Sequence, residues 1–347
     1  MKKWCVVGLV LCVITVIAGC MLGGGNFWHE ASHNVAYQFS YHMGHFFLPQ
    51  FQVKESPSTE KEDVVYLDSE KEESYETFSS AVVENMEESE KESKTMVDES
   101  LKDPDVLLSS FYEVDPTTCV PEGMISYEQL LGIDLRIDTS MEGPKVLIYH
   151  THSTEAYCDS VEGRDEDTVI GVGDYLASLL EEKYHIEVLH HMGRYDLDNK
   201  ENAYKNAARD LPGILEEHPS IQVVIDLHRD GVDDSVKLTT TEDGVKMAQV
   251  MFFNGICTDA QGNPMYHLSN ENLQGNLAFS FQMQLKAKAS YENLVRKIYL
   301  RGYRYNMHMA KRSMLLEVGA QTNTVEEAKN AMVPVADLLA EVLLGEN

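Results

Sequence analysis

Val146-Leu147-Ile148-Tyr149-His150-Thr151-His152-Ser153-Thr154-Glu155-Ala156-Tyr157 changes character in mid-course. It begins as a short apolar, β-prone run and stops abruptly at His-Thr-His. A buried parallel strand reads this way when it delivers polar groups at its carboxyl end. Two imidazoles and a carboxylate follow within six positions, and all three are zinc-type ligands. The design recurs. Ile221-Gln222-Val223-Val224-Ile225-Asp226-Leu227 runs into His228-Arg229-Asp230, and Ser313-Met314-Leu315-Leu316 runs into Glu317-Val318-Gly319. One His or Glu after a strand is ordinarily a satisfied polar group. Three such tips in one chain point to a site.

Working outward, the elements alternate. Val169 to Tyr184 reads as an amphipathic helix, Ile186 to Leu189 as a strand and Asn202 to Glu217 as a helix. Val245 to Phe253 reads as one strand. Asn270 to Leu300 reads as helical, broken near Ser290. The Met314 strand precedes a helix entered by the capping box Thr324-x-x-Glu327, with Pro334 expected to kink or divide it. Strands alternating with helices predict an α/β fold, a mostly parallel sheet with helices on both faces. This domain is expected over residues 106–347.

The remainder of the chain is not globular in composition. Lys2-Lys3 precede an apolar run from Trp4 to Leu22, long enough to approach a membrane span, so the rest of the chain is expected outside the cytoplasm. Residues 1–25 read as an uncleaved anchor, because the run continues past Cys20. The alternative is a lipoprotein signal acylated at Cys20. Residues 26–53 are rich in His and aromatics. Within them His29-Glu30-x-x-His33 fits the zincin metalloprotease pattern, though no strand-rich domain precedes it. From Lys54 to Asp105 the chain carries 18 acidic residues and 6 lysines, a composition that cannot bury enough surface to offset chain entropy. Residues 54–105 are therefore expected to be a disordered spacer. The chain holds 57 acidic and 28 basic residues, net −29, which argues against a nucleic-acid partner. Cys119, Cys158 and Cys257 show no C-x-x-C spacing and indicate neither a zinc ribbon nor a disulfide framework.

The chemistry follows from the tips. A catalytic zinc site needs three protein ligands and an open position. His152 and His228 are the nitrogen candidates, and Glu155 is the nearest carboxylate. Glu317, from the third tip, can take a proton from attacking water and return it to a leaving amine. The competing reading makes Glu317 a strand-end salt-bridge partner of Arg229 or Arg312.

His150-Thr-His152-Ser-Thr-Glu155-Ala-Tyr157, Asp226-Leu-His228-Arg229-Asp230 and Leu316-Glu317-Val-Gly319 together resemble the stage II sporulation protein P family of endospore-forming bacteria. Gly171-Val172-Gly173-Asp174, Tyr303-Arg304-Tyr305-Asn306 and Asn323-Thr324-x-Glu326-Glu327-Ala328 fit it as well. The resemblance covers about Gly143 to the carboxyl end. It implies a membrane-tethered peptidoglycan hydrolase, an N-acetylmuramoyl-L-alanine amidase with peptide-crosslink endopeptidase activity. It further implies a role in forespore engulfment beside the sporulation protein D transglycosylase and the sporulation membrane protein M. The family is in turn similar to zinc amidases with a His, Glu, His and late Glu pattern. That likeness implies His152 and His228 as zinc ligands and Glu317 as the late glutamate. The carboxylate ligand is Glu155 or, behind it, Glu166. His150 could replace His152 as ligand, or orient a ligand or the substrate. Arg229 and Asp230 could contact the substrate's carboxylate and amine, or pair with each other.

Overall fold

The computed structural model describes residues 99–291 and 293–345. The chain divides into two units, Met1–Glu73 and Ser74–Asn347, and every described residue lies in the second. The expected membrane segment, the His29-Glu30-x-x-His33 stretch and all of the acidic spacer before Glu99 lie outside the described residues. Among the described residues no helix is long and apolar enough to cross a membrane.

Seven strands form one sheet in the order β1-β8-β7-β9-β4-β2-β3. They are β1 (Tyr112–Val114), β2 (Val146–Tyr149), β3 (Val188–His190), β4 (Val223–Asp230), β7 (Val250–Gly255), β8 (Ile298–Arg301) and β9 (Arg312–Ala320). All neighbouring pairs are parallel except β7 with β9, which are antiparallel. The expectation of a mostly parallel sheet holds, and this single reversal joins its two parallel halves. A separate hairpin, β5 (Thr239–Glu242) with β6 (Val245–Ala248), stands apart from the sheet.

Period-2 alternation decides which side chains meet. Val146, Ile148, Val223, Ile225, Leu227, Met314 and Leu316 share one face. They pack against α3 (Val169–Tyr184), α5 (Leu273–Ser290) and α6 (Val325–Leu344) through Val172, Leu176, Phe281, Val335 and Leu339. Leu147, Tyr149 and Val224 point the other way, against Ala203, Ala207 and Leu211 of α4 (Ala203–Glu217). Each fully buried large aliphatic side chain contributes about 1.5–3 kcal/mol, so the first face, with the larger cluster, dominates stability. Two short helices, α1 (Pro104–Phe111) and α2 (Tyr127–Gly132), cover the α5 side. The packed chain already includes Leu101, ahead of the expected domain start at residue 106.

Several expectations need correction. The run 245–253 is two strands, because the chain turns at Gln249 to leave the hairpin and enter the sheet. Helix α5 ends at Ser290, and Ile298–Arg301 is strand β8, not more helix. Its buried and half-buried residues alternate, as a sheet requires. Helix α6 runs unbroken through Pro334 and has the full Thr324–Glu327 capping box. Strands β4 and β9 run further than expected, so His228 and Glu317 lie within strands and not beyond them.

Candidate active site

The site lies along the edge where β2, β4 and β9 finish. Strand β2 stops at Tyr149, and the turn after it is held by two buried aspartates. Thr151 donates to Asp226 from its backbone N (2.8 Å) and its hydroxyl (2.6 Å). Ser153 donates to Asp196 through its hydroxyl at 2.7 Å, and Thr154 donates through both its N and its hydroxyl. Hydroxyl and amide donors converging on buried carboxylates make a turn that cannot drift.

His228 is the centre of this edge and is buried. Its Nδ1 lies 3.3 Å from Glu155 Oε2, and its Nε2 lies 2.8 Å from Asp226 Oδ1, a contact too bent for a regular hydrogen bond. Burial alone would lower the His228 pKa, but the Asp226 and Glu155 carboxylates outweigh it and raise it well above the usual value. Burial works against both carboxylates, and the charge on His228 more than offsets it, so Glu155 and Asp226 are held below their usual range. Glu155 Oε2 also accepts the Arg229 backbone N–H at 3.1 Å.

His152 stands edge-on to His228, with ring centroids 5.4 Å apart. Its Nδ1 is buried without a hydrogen-bond partner. Burial and then the neighbouring His228 lower its pKa, leaving a neutral imidazole. Tyr204 of α4 walls the pair, 5.7 Å from the His152 ring and stacked on His228 at 6.4 Å, and is itself backed by Tyr305.

Glu317 is the register partner of His228 across β4 and β9. Its Oε2 is buried with no hydrogen-bond partner. Burial, and next the Asp230 carboxylate, raise its pKa well above normal. The salt-bridge alternative fails on geometry. Arg229 donates to the Ala156 and Asp230 carbonyls, and Arg312 donates to the Leu135 and Arg136 carbonyls.

The structure thus brings His152, Glu155, His228 and Glu317 together. Glu166 is solvent-exposed and pairs with Arg164, away from this group. His150 turns to the opposite face of the sheet, where its Nδ1 meets the Leu227 carbonyl at 2.7 Å. Arg229 and Asp230 do not form an ion pair with each other. Asp230 instead takes Arg296 at 2.6 Å. Two residues at the site went unassigned in the sequence reading. Asp226 was legible, because it lies two positions before His228 on one strand and therefore on the same face. Tyr204 left no such signal, since only the packing of α4 brings it here.

Imidazole and carboxylate are donor types that zinc takes, and His152, His228 and Glu155 supply them. Among the described residues no group of three or more His, Cys, Asp or Glu side chains already converges on a single point. The 3.3 Å gap from His228 Nδ1 to Glu155 Oε2 is nevertheless close to the ~3.3 Å ligand-to-ligand edge of a tetrahedron with bonds of about 2.0–2.1 Å. The unpartnered His152 Nδ1 would be the further donor, and the Asp226 carboxylate lies against the opposite nitrogen of His228, where a ligand-orienting group would sit.

Among solved structures, the chain is similar to the N-acetylmuramoyl-L-alanine amidase from Clostridium difficile 630. Identity is 14%, the match covers 58% of this chain and 95% of that one, and the TM-score is 0.36. It is also similar to the catalytic domain of CwlV, an N-acetylmuramoyl-L-alanine amidase from Bacillus (Paenibacillus) polymyxa var. colistinus. There identity is 14%, coverage is 57% and 95%, and the TM-score is 0.34. A curated relative, Stage II sporulation protein P of Bacillus subtilis (strain 168), is 25% identical over 218 residues, which is 57% of this chain and 50% of the relative. The chain thus matches about half the length of that relative. The model of the Stage II sporulation protein P family matches residues 33–342, starting far ahead of Gly143, where the motifs alone put the likeness. By that match, which takes in all three strand tips, the chain belongs to the Stage II sporulation protein P family.

Proposed function

We propose that the protein is a zinc-dependent peptidoglycan hydrolase that cleaves the amide between N-acetylmuramic acid and L-alanine. The observation that carries this reading is the pairing of Glu317 with His228 across β4 and β9, with Glu155 and His152 beside them. In this reading His152, Glu155 and His228 hold the metal, which when bound supplies Lewis-acid polarisation of the amide carbonyl. Glu317 takes a proton from the attacking water as the new C–O bond forms. It returns that proton to the departing nitrogen as the C–N bond breaks, leaving a lactyl carboxylate and a free L-alanine amine. Its burial supports the donor half of the cycle, since a raised pKa keeps the proton available. Asp226 holds the His228 ring in place, and Tyr204 screens the site from water on the α4 side.

On this reading the enzyme works outside the cytoplasm, tethered through residues 4–22, because Lys2-Lys3 precede the apolar run. Mass spectrometry of purified peptidoglycan after digestion with the full chain tests the proposal. Stem peptides with a free L-alanine amino terminus and intact glycan strands are expected. Cleavage confined to glycosidic bonds or to peptide crosslinks would overturn it.

A further inference from the structure

On the far face of the sheet from Glu317, three side chains form a continuous hydrogen-bonded line. Asp174 Oδ1 meets His190 Nδ1 at 2.6 Å, His190 Nε2 meets His150 Nε2 at 2.8 Å, and His150 Nδ1 meets the Leu227 carbonyl at 2.7 Å. The line begins at a half-exposed carboxylate on α3, passes through two buried rings and ends on the peptide that links Leu227 to His228.

The partners dictate where the protons lie. A backbone carbonyl only accepts, so His150 Nδ1 carries a hydrogen. A carboxylate accepts, so His190 Nδ1 carries one as well. The two facing Nε2 atoms then share a single hydrogen. The carboxylate lies beside His190 and not beside His150, so the shared hydrogen sits on His190 and the His150 Nε2 accepts. His190 therefore donates from both nitrogens, one to Asp174 and one to His150. Every hydrogen-bonding atom of the two rings is used, and His150 is restricted to one tautomer.

The backbone is shaped around this line. Adjacent strands β2 and β3 put Ile148 opposite His190, which brings the end of β3 beside His150. At Gly173 a Cβ would lie 2.9 Å from the Nε2 of both histidines, so the close approach of α3 needs glycine there. The Leu227 carbonyl lies one residue past the last β2–β4 pair, Tyr149 with Asp226. There the strand pairing ends and the His150 ring takes over. Thr151 to Asp226 forms a second tie between the same two segments. Both ties fix the distance between the turn that carries His152 and the strand that carries His228.

We infer that Asp174, His190 and His150 form a positioning relay that locks the His152 turn against the His228 strand from behind the site. The inference rests on the amidase reading for its kinetic consequence, but not for the hydrogen-bonded line itself. None of the three touches substrate. They act through the Leu227 peptide and the His150–His152 turn.

The test uses the full chain and has two independent readouts. The first is a long-range proton–nitrogen spectrum of protein labelled at histidine nitrogens. It should show one ring protonated on both nitrogens and one fixed with hydrogen on Nδ1, and Asp174→Asn should shift both. Rapid tautomer exchange at His150 in the wild type, or no response to Asp174→Asn, overturns the relay whatever the protein hydrolyses. The second is kinetic. Asp174→Asn and His190→Ala should each lower kcat on peptidoglycan about 10–100-fold, as loss of ligand-orienting groups does, with KM nearly unchanged. Added imidazole should restore part of the His190→Ala rate by refilling the ring's place. Wild-type kcat in Asp174→Asn, or losses that track melting temperature alone without imidazole rescue, overturns the positioning role. A wild-type protein that releases no stem peptides refutes the amidase reading, and with it the kinetic role, while the spectra still decide the relay.

Discussion

Glu317 and His228 are register partners on adjacent parallel strands, so their side chains leave the same face of the sheet at neighbouring positions. Parallel strands lie about 4.8 Å apart, which sets the acid/base candidate beside the central histidine with no loop between them. Glu317→Gln keeps the size and removes the ionisable proton. It should fold, bind metal as the wild type does and lose about 10²–10⁴-fold in the rate of stem-peptide release. Elemental analysis and a muropeptide assay on one preparation check both halves. A variant that loses its metal would make Glu317 a ligand.

Removing a donor should act on the metal first. His152→Ala and His228→Ala should each lose most bound zinc, because neutral imidazoles and carboxylates are what hold the ion. Asp226→Asn, which loosens the His228 ring from behind, should weaken zinc binding by about 10–100-fold without abolishing it. Competition with a chelator of known affinity separates the two classes.

Glu327 couples the α6 cap to pH. It accepts from Thr324 N and from Asn323 and lies 2.7 Å from Lys246, so although burial opposes ionisation its pKa is lowered. A depressed carboxylate contributes stability above its unfolded value of about 4.3, and that stability is lost as pH falls through the folded value below it. Glu327→Gln should therefore cost about 0.5–2 kcal/mol at pH 7, the usual size of a capping interaction. The deficit should shrink as the pH drops below 4. Chemical denaturation at the two pH values measures this difference.

Gly171→Ala sets two effects against each other. Alanine in a helix interior gains about 0.8–1 kcal/mol over glycine. Its Cβ, however, would lie 2.1 Å from the Glu166 carbonyl, which is backbone and cannot swing away. Overpacking of this kind costs about 1–3 kcal/mol, so a net loss of stability is expected in urea denaturation. A gain would mean that the 165–167 turn moves freely.

The central elements were legible because they carry strong local signals. Helix α3 matched its expected limits, and Thr324 with Glu327 announced the start of α6. Strand β8 was missed. Its four residues have a period of 2 that a helix-like stretch before them conceals, and only its pairing between β1 and β7 makes it a strand. The hairpin β5–β6 and the antiparallel join of β7 to β9 were missed for the same reason, since pairing direction is a property of two segments and not of either one.

At the site the division is equally physical. Sequence alone determined that His152, Glu155, His228 and Glu317 follow short apolar runs of a buried sheet, because such runs that end in charge have few other uses. It also determined that Asp226 and His228, two apart on a strand, share a face. It could not choose between Glu155 and Glu166, or between His150 and His152. The turn after Tyr149 puts Glu155 and His152 beside His228, and leaves Glu166 and His150 away from it. Asp226 and Asp196 hold that turn so that Glu155 reaches His228, while the Leu227 carbonyl and His190 draw His150 to the opposite face of the sheet. Those partners lie between 40 and 77 residues from the side chains they hold, and a contact at that separation exists only once the sheet has formed.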